Sequence, residues 1–372
     1  MPEPYHILQV NKLYAPHIGG IETVVQQMAE GLSGRAKVSV LVCRERGRQV
    51  AEQVNGVEVL RCSTLTTLFS CPLSLSFLLK FRKLAKQADV IELHMPFPLA
   101  DLACLLSGYR GRVVLAWHSD VVKQKKLLFF YQPLLRWLLR RADAIIVATK
   151  GHIDGSAFLQ EFRGKCHVIP YGIRTADYLQ APLTPYLTER LTNPAAKKIL
   201  FTGRLVYYKG VEVLLEAFSH VTGCELFLAG QGDLEQTLRS RTTAAGMDAR
   251  VHFLGRLSDA DLKSAFADCD FFVLPSVQNS EAFGIVQLEA MVYGKPVINT
   301  KLPTGVPHVS LDGETGITVP VGDGKALAEA MQTLADDDRL RQRYGAAAQQ
   351  RVLETFELET MLRDAYTVLC PA

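Results

Sequence analysis

The stretch Asp270-Phe-Phe-Val-Leu-Pro-Ser276, running on through Glu281-Ala-Phe-Gly-Ile-Val-Gln-Leu-Glu289 to Met291-Val-Tyr-Gly-Lys-Pro296, decides how the chain folds. The unbroken apolar run from Phe271 to Leu274 predicts a strand buried on both faces. Pro275 to Ser280 is a polar turn, and a helix is expected from about Phe283. Strand, turn and helix in that order build a parallel α/β sheet. Glu281 falls before the helix, and Glu289 is expected about two turns into it. The N–H groups of Phe283, Gly284 and Ile285 would then be the donors that a first helical turn leaves free, a setting that attracts anions. One reading makes Glu281 a cap and Glu289 a solvated surface acid. The other makes the pair a ligand site in an otherwise apolar segment.

Upstream, Lys198-Ile-Leu-Phe-Thr202 reads as a strand, followed by Gly203-Arg204-Leu-Val-Tyr-Tyr-Lys209-Gly210 and a helix from Val211 to Phe218. Arg204 and Lys209 put two cations at one helix entrance, which suits a diphosphate, although either alone could be a plain surface charge. Leu226-Phe-Leu-Ala-Gly230 and Val251-His-Phe-Leu254-Gly255-Arg256 are further strands. Asp259-Ala-Asp261 and Asp268-Cys-Asp270 have a metal-motif spacing, but the first reads as a helix start after Ser258 and the second as a turn. No metal is assigned.

The first half shows the same alternation. Ile7 to Val10 is a strand, Gly19-Gly20 lies in the loop after it, and a helix covers Ile21 to Leu32. That loop is not G-x-G-x-x-G, so a dinucleotide site is disfavoured, while paired glycines do let backbone approach a phosphate. Strands are expected at Val38–Cys43, Val57–Arg61, Val90–Leu93, Val113–Ala116, Ala144–Ala148 and His167–Ile169, with helices at Leu73–Gln87, Leu99–Ser107 and Leu127–Arg141. His94 and the string Trp117-His118-Ser119-Asp120 stand at carboxyl ends of strands, where open α/β sheets bind ligands.

Composition narrows the classes. The 372 residues suit two domains, and 48% hydrophobic with 21% charged residues is the balance of a soluble globular protein. No run is apolar enough to span a membrane, and the opening Met-Pro-Glu-Pro-Tyr-His6 lacks the regions of a signal peptide. Eight scattered cysteines suggest reduced thiols in a cytosolic protein. The net charge of +3 is uneven: residues 1–170 hold 22 Lys/Arg against 13 Asp/Glu (+9), the remainder 19 against 25 (−6). An anionic partner is expected for the first half. Lys123-Gln-Lys-Lys-Leu-Leu-Phe-Phe-Tyr through Trp137 to Arg141 reads either as an amphipathic helix on anionic lipid or as a core helix with solvated basic flanks. Leu73 to Lys86 pairs leucines with Lys80, Arg82, Lys83 and Lys86 in the same manner. No nucleic-acid recognition module accompanies the basic half.

The string Ser280-Glu-Ala-Phe-Gly-Ile-Val-Gln-Leu-Glu-Ala-Met, followed by Gly294-Lys-Pro-Val, resembles the signature of the retaining, GT-B-fold glycosyltransferases of family 4. The resemblance implies two Rossmann-like doubly wound α/β domains facing a central cleft. It places an acceptor-binding domain at 1–173, a linker at 174–196, a nucleotide-sugar-binding domain at 197–356, and a segment crossing back at 357–372. It gives Glu281 the donor sugar, assisted by the backbone of Phe283, Gly284 and Ile285, and gives Glu289 the ribose. Arg204 and Lys209 would bind the diphosphate, with Gly19, Gly20, Gly203 and Gly230 near the donor and Leu254 near the base. It places His118 against the transferred sugar. His94 and Asp120 are the acceptor candidates.

The resemblance is nearest to bacterial enzymes adding mannose or a deoxyhexose to polyprenyl-diphosphate-linked oligosaccharides of O-antigen or exopolysaccharide, through His118-Ser-Asp-Val-Val-Lys-Gln-Lys and Leu302-Pro-Thr-Gly-Val-Pro. It implies GDP-mannose as substrate ahead of UDP-hexoses, no cofactor, and a cytoplasmic protein peripheral on the inner face of the membrane. The rival readings are a GT-B epimerase or phosphorylase and a non-catalytic nucleotide or glycan binder. The first would lack the two-glutamate string, and the second would lack Glu281 or Lys209.

Overall fold

A computed structural model describes residues 4–17, 19–68, 71–120 and 125–371, with backbone alone at 125–128. The chain forms two units, Met1–Tyr171 with Glu359–Ala372, and Gly172–Leu358.

The first unit carries β1 (His6–Val10), β2 (Lys37–Cys43), β3 (Val50–Val54), β4 (Val57–Cys62), β5 (Thr66–Leu68), β6 (Cys71–Leu73), β7 (Val90–Met95), β8 (Arg112–Trp117), β9 (Ala144–Val147) and β10 (Cys166–Val168). Eight of them form one sheet in the order β10-β9-β8-β7-β1-β2-β4-β3, parallel except for the β3–β4 pair, while β5 and β6 make a separate hairpin. The second unit carries β11 (Lys197–Thr202), β12 (Cys224–Ala229), β13 (Val251–Gly255), β14 (Phe271–Leu274), β15 (Val297–Thr300) and β16 (Gly316–Val319). They form a parallel sheet in the order β13-β12-β11-β14-β15-β16. In each sheet the chain winds outward from a middle strand and then returns to that strand's other side. The switch points lie between β1 and β7 and between β11 and β14, where doubly wound folds open a crevice at the strands' carboxyl ends.

Phe271, Phe272, Val273 and Leu274 are all fully buried, as a middle strand covered on both faces requires. Each such side chain contributes about 1.5–3 kcal/mol on leaving water. The helix Val211–Phe218 packs Val211, Leu214, Leu215 and Phe218 onto one face of this sheet with Phe201 and Phe271.

Several expectations need correction. The helix expected from Phe283 spans Val286–Met291, so Glu289 stands in its first turn rather than two turns in. Gly284 has φ +73, a left-handed conformation that cannot continue into a right-handed helix, and a Cβ there would lie 2.6 Å from Leu274 Cδ2. The helix expected from Leu73 begins at Leu75, because the Ser74 hydroxyl accepts from Phe77 N at 3.1 Å and caps it. Strand β3 and the β5–β6 hairpin, whose residues are largely exposed, were not expected from the pattern.

The supposed linker, 174–196, belongs to the second unit. Asp268 accepts from the backbone N of Leu187 and Thr188, both at 2.7 Å, and Glu225 accepts from Thr192 N and Asn193 N. Residues Glu359–Ala372 belong to the first unit, and the strands entering and leaving the second run side by side, Ile173 N donating to Phe356 O at 2.8 Å. Among the described residues no helix is long and apolar enough to cross a membrane.

Candidate active site

The pairing of β11 with β14 brings together two loops far apart in sequence. Lys209, in the turn Tyr207–Lys209 after β11, reaches Glu281, in the loop after β14, with Nζ 2.5 Å from Oε2. Both side chains are about nine-tenths buried. The Ser276 hydroxyl donates to the same Glu281 oxygen at 3.0 Å, and Thr300 fixes Ser276 by donating to its carbonyl at 2.6 Å. Val277 N donates to Tyr208 O at 2.8 Å and ties one loop to the other. Arg204 is exposed beside them, Nη2 donating to Tyr208 Oη at 3.1 Å. A half-buried cation pair over one strand–helix turn is suited to a polyanion, and a carboxylate held next to it is suited to hydroxyl groups.

The glycines at this corner serve packing. A Cβ on Gly230, whose φ is +136, would lie 1.9 Å from the carbonyl oxygen of Gly203, so the turns after β11 and β12 approach backbone to backbone. The loop Leu302-Pro-Thr-Gly-Val-Pro lies over the segment before the helix, Gly305 N donating to Ala282 O at 2.7 Å. Buried Gln287 and Asn299 hold it there through the Val306 carbonyl.

Glu289 is half-buried and accepts from Tyr178 Oη at 3.0 Å. Burial pushes its carboxyl up to about 7, with the Tyr178 bond opposing. Tyr178 is a partner that sequence reasoning missed; it lies in the stretch read as a linker. Leu254 is half-buried on β13, and Arg256 is exposed just beyond it. The four aspartates with metal-motif spacing have structural work. Ser258 caps the helix Asp259–Asp268 by accepting from Asp261 N, and Asp270 accepts from Lys198 N at 2.7 Å. Burial alone would raise the Asp268 carboxyl, but hydrogen bonds from Lys198 and Thr188 together hold it below the usual carboxylate range.

In the first unit Gly19 stands at the entrance of the helix Gly20–Leu32. The two histidines lie together. His118 is buried with both ring nitrogens engaged, Nε2 at 2.9 Å from His94 Nδ1 and Nδ1 at 2.5 Å from Tyr171 Oη. His94 Nε2 lies 3.8 Å from Glu92, which accepts from Gln9 at 2.8 Å. The distance of 3.8 Å is too long for a hydrogen bond, so His94 Nε2 is buried without one. The hydrogen-bonded chain is Tyr171–His118–His94, along which Tyr171 can donate to His118 and His118 to His94. Burial holds His94 down to about 3, His118 well below its ordinary value, and Glu92 up to about 7. A cavity of about 20 Å³ beside these groups is large enough for one water.

His94 therefore does not present itself to an acceptor. Asp120 is half-buried and accepts from Trp117 Nε1 at 3.1 Å and Ser156 Oγ at 2.8 Å, which braces the loop after β8. A larger open cavity of about 960 Å³, missed from sequence, lies at the carboxyl ends of β1 and β2, with Arg44, Arg46 and Arg61 and the acids Glu45 and Glu52 in its wall, Arg61 paired with Glu52. Its sequence signal is the basic run Arg44-Glu-Arg46-Gly-Arg48.

The family described as Glycosyl transferases group 1 matches residues 188–351, and the Glycosyl transferase 4-like domain matches residues 19–172. The chain is 34% identical over 353 residues to the D-rhamnosyltransferase WbpZ of Pseudomonas aeruginosa, covering 94% of this chain and 92% of that protein. It is 32% identical over 369 residues to the O-antigen chain mannosyltransferase C of Escherichia coli, covering 98% and 97%. A crystal structure of Anabaena Alr3699/HepE in complex with UDP superposes with a TM-score of 0.81 at 21% identity, over 99% of this chain and all of that one, which shows the shared fold.

Proposed function

The chain belongs to the group 1 glycosyl transferases with two Rossmann-like GT-B units, and we propose that it transfers a mannose-type hexose, from GDP-mannose before other donors, to a lipid-linked oligosaccharide in bacterial surface-polysaccharide assembly. The observation that carries the reading is the Lys209–Glu281 pair at the β11/β14 switch point. A donor diphosphate takes Lys209 and Arg204 as counter-cations. As Lys209 turns toward phosphate, Glu281 keeps its Ser276 hydrogen bond and accepts from hydroxyls of the sugar. Glu289, oriented by Tyr178, accepts from the ribose. Catalysis then rests on charge stabilisation of the leaving diphosphate and on positioning, with retention at the anomeric carbon and without a divalent metal.

The rhamnosyl- and mannosyltransferase names of the two full-length relatives support the sugar class. For the acceptor, the open cavity is a better proposal than His94 or Asp120, because its Arg44 and Arg46 reach solvent. The acceptor's lipid implies attachment at the cytoplasmic membrane face.

The test is nucleoside-diphosphate release from GDP-mannose, GDP-D-rhamnose and UDP-hexoses in the presence of a lipid-linked acceptor, followed by NMR of the product's anomeric centre. Turnover with a GDP-sugar and a product of the donor's own anomeric configuration is expected, undiminished by exhaustive chelation. Turnover with UDP-hexoses alone overturns the donor; an inverted product overturns retention; activity lost on chelation and restored by magnesium or manganese overturns metal independence.

A further inference from the structure

Large apolar side chains that face solvent are concentrated in one part of the first unit. Among the described residues seventeen are exposed, and ten of them fall between Leu65 and Phe130. They sit on elements that pack side by side: the β5–β6 hairpin, the helix Leu75–Ala85, the helix Pro98–Ser107 and the helix Lys125–Arg141. The inner faces of these helices, through Phe77, Phe81, Ala103, Leu135 and Leu138, join a single core under the sheet. Their outer faces therefore share the other side. Leu75, Leu79 and Lys83 follow one another at helical spacing along that outer face, with Leu75 and Leu79 67% and 72% exposed. Leu106 continues the patch on the next helix, and Phe129 and Phe130 stand 73% and 79% exposed on the third.

Charge identifies what covers it. Residues 65–141 contain twelve lysines and arginines and four acids, Asp89, Glu92, Asp101 and Asp120. Glu92 and Asp101 are fully buried, Asp101 accepting from Tyr131 Oη, and Asp120 is half-buried. The helices Leu75–Ala85 and Lys125–Arg141 hold no acid at all. A leucine ridge fringed by cations with almost no exposed acid matches an anionic bilayer, whose headgroups take the cations while the leucines enter the acyl boundary. The lysine-rich stretch singled out in sequence supplies one edge only. Lys123 lies outside the described residues, as do the side chains of Lys125, Lys126, Leu127 and Leu128, while Leu138 and Leu139 are core residues and Trp137 is half-buried.

We propose that this patch, centred on Leu75, Leu79 and the hairpin's Leu68, is a lipid-inserting face that docks the first unit on anionic membrane. It rests on the reading of a lipid-linked acceptor and adds the surface by which the enzyme meets it. The test is co-sedimentation with vesicles of phosphatidylglycerol and phosphatidylethanolamine, against vesicles of phosphatidylcholine alone. Wild type should bind the anionic vesicles preferentially and less so at high salt. The Leu75→Asp/Leu79→Asp double variant should lose about tenfold or more in partitioning. Its thermal midpoint and its transfer to a short water-soluble acceptor should stay unchanged. Arg82→Glu/Lys83→Glu, which leaves every leucine in place, should lose binding to the anionic vesicles alone. Equal binding of wild type to both vesicles, no binding at all, or a double variant that binds like wild type overturns the proposal. So does a wild type that sediments as a dimer while the leucine variant is a monomer, since a second copy would then cover the ridge. Wild type that transfers sugar but binds no vesicle condemns the surface alone, and wild type that binds vesicles but transfers no sugar condemns the catalytic reading alone.

Discussion

At the β11/β14 switch point of the second unit a lysine and a glutamate meet at 2.5 Å as an ion pair; at the β1/β7 switch point of the first unit a glutamate and two histidines meet as a neutral chain. Both settings are nearly dry. They differ in what burial has done to charge. Lys209 and Glu281 pair with one another and are steadied by Ser276, so the ammonium stands within reach of an incoming anion. His94, His118 and Glu92 have no opposite charge close enough to offset desolvation, so each is driven toward its uncharged form. The same topology thus yields a charged binding corner in one unit and a rigid polar core in the other. The first unit's charge is displaced to its surface.

The contrast breaks most sharply at Lys209. Lys209→Ala should reduce turnover by about a hundredfold or more, as loss of a positioned cation at a developing charge does. It should weaken nucleoside-diphosphate binding in parallel, because the same charge acts on substrate and transition state. Steady-state turnover together with calorimetric binding of GDP checks this; unchanged values in both would remove Lys209 from the site.

Next in size is the packing that makes the corner. Gly230→Ala forces a methyl group against the Gly203 carbonyl and should cost roughly 2–4 kcal/mol of stability, read by urea unfolding. A neutral result would mean that the two turns do not approach as described.

Acid sharpens the comparison from the other side. The unfolded chain protonates histidine below about 6.5, whereas folded His94 and His118 stay neutral, so each costs stability as pH falls past that point. Glu92 acts in the opposite sense: protonated when folded below about 7, it favours folding as pH drops toward the unfolded carboxylate value. Asp101 of the same unit, raised to about 7 by burial, acts as Glu92 does, so the two pairs roughly cancel; Glu92→Gln removes one carboxyl and should leave a net loss of about 1 kcal/mol per pH unit between about 6 and 5. Trp117 and Trp137, the chain's two tryptophans, both lie in the first unit and report it by their emission during unfolding. Stability of Glu92→Gln that holds or rises from pH 6 to 5 would contradict the neutral histidines.

Much of the second unit was legible in sequence because its information is local. The apolar run at Phe271 to Leu274 is a strand, Val211 to Phe218 is a helix, and Lys209 and Glu281 each sit a few residues past a strand end. What escaped was conformational or distant. Gly284 delays the helix by adopting a left-handed conformation, which spacing does not reveal. The stretch 174–196 looks like a linker because its anchors, Asp268 and Glu225, lie far along the chain. Likewise His94, His118 and Tyr171 are separated by 24 and 53 residues and share no motif, so only the sheet shows that they touch. The exposed strands β3 and β5 lack the apolar alternation that marks a half-buried strand.

The central claim is that the donor's diphosphate is held by the two loops of the second unit's switch point. Amide hydrogen exchange of the whole chain with and without GDP tests it most directly. The account predicts slowed exchange at 203–210 and 275–285, with the strands around His94 and His118 unchanged. Tight GDP binding that leaves both second-unit segments unprotected would contradict it.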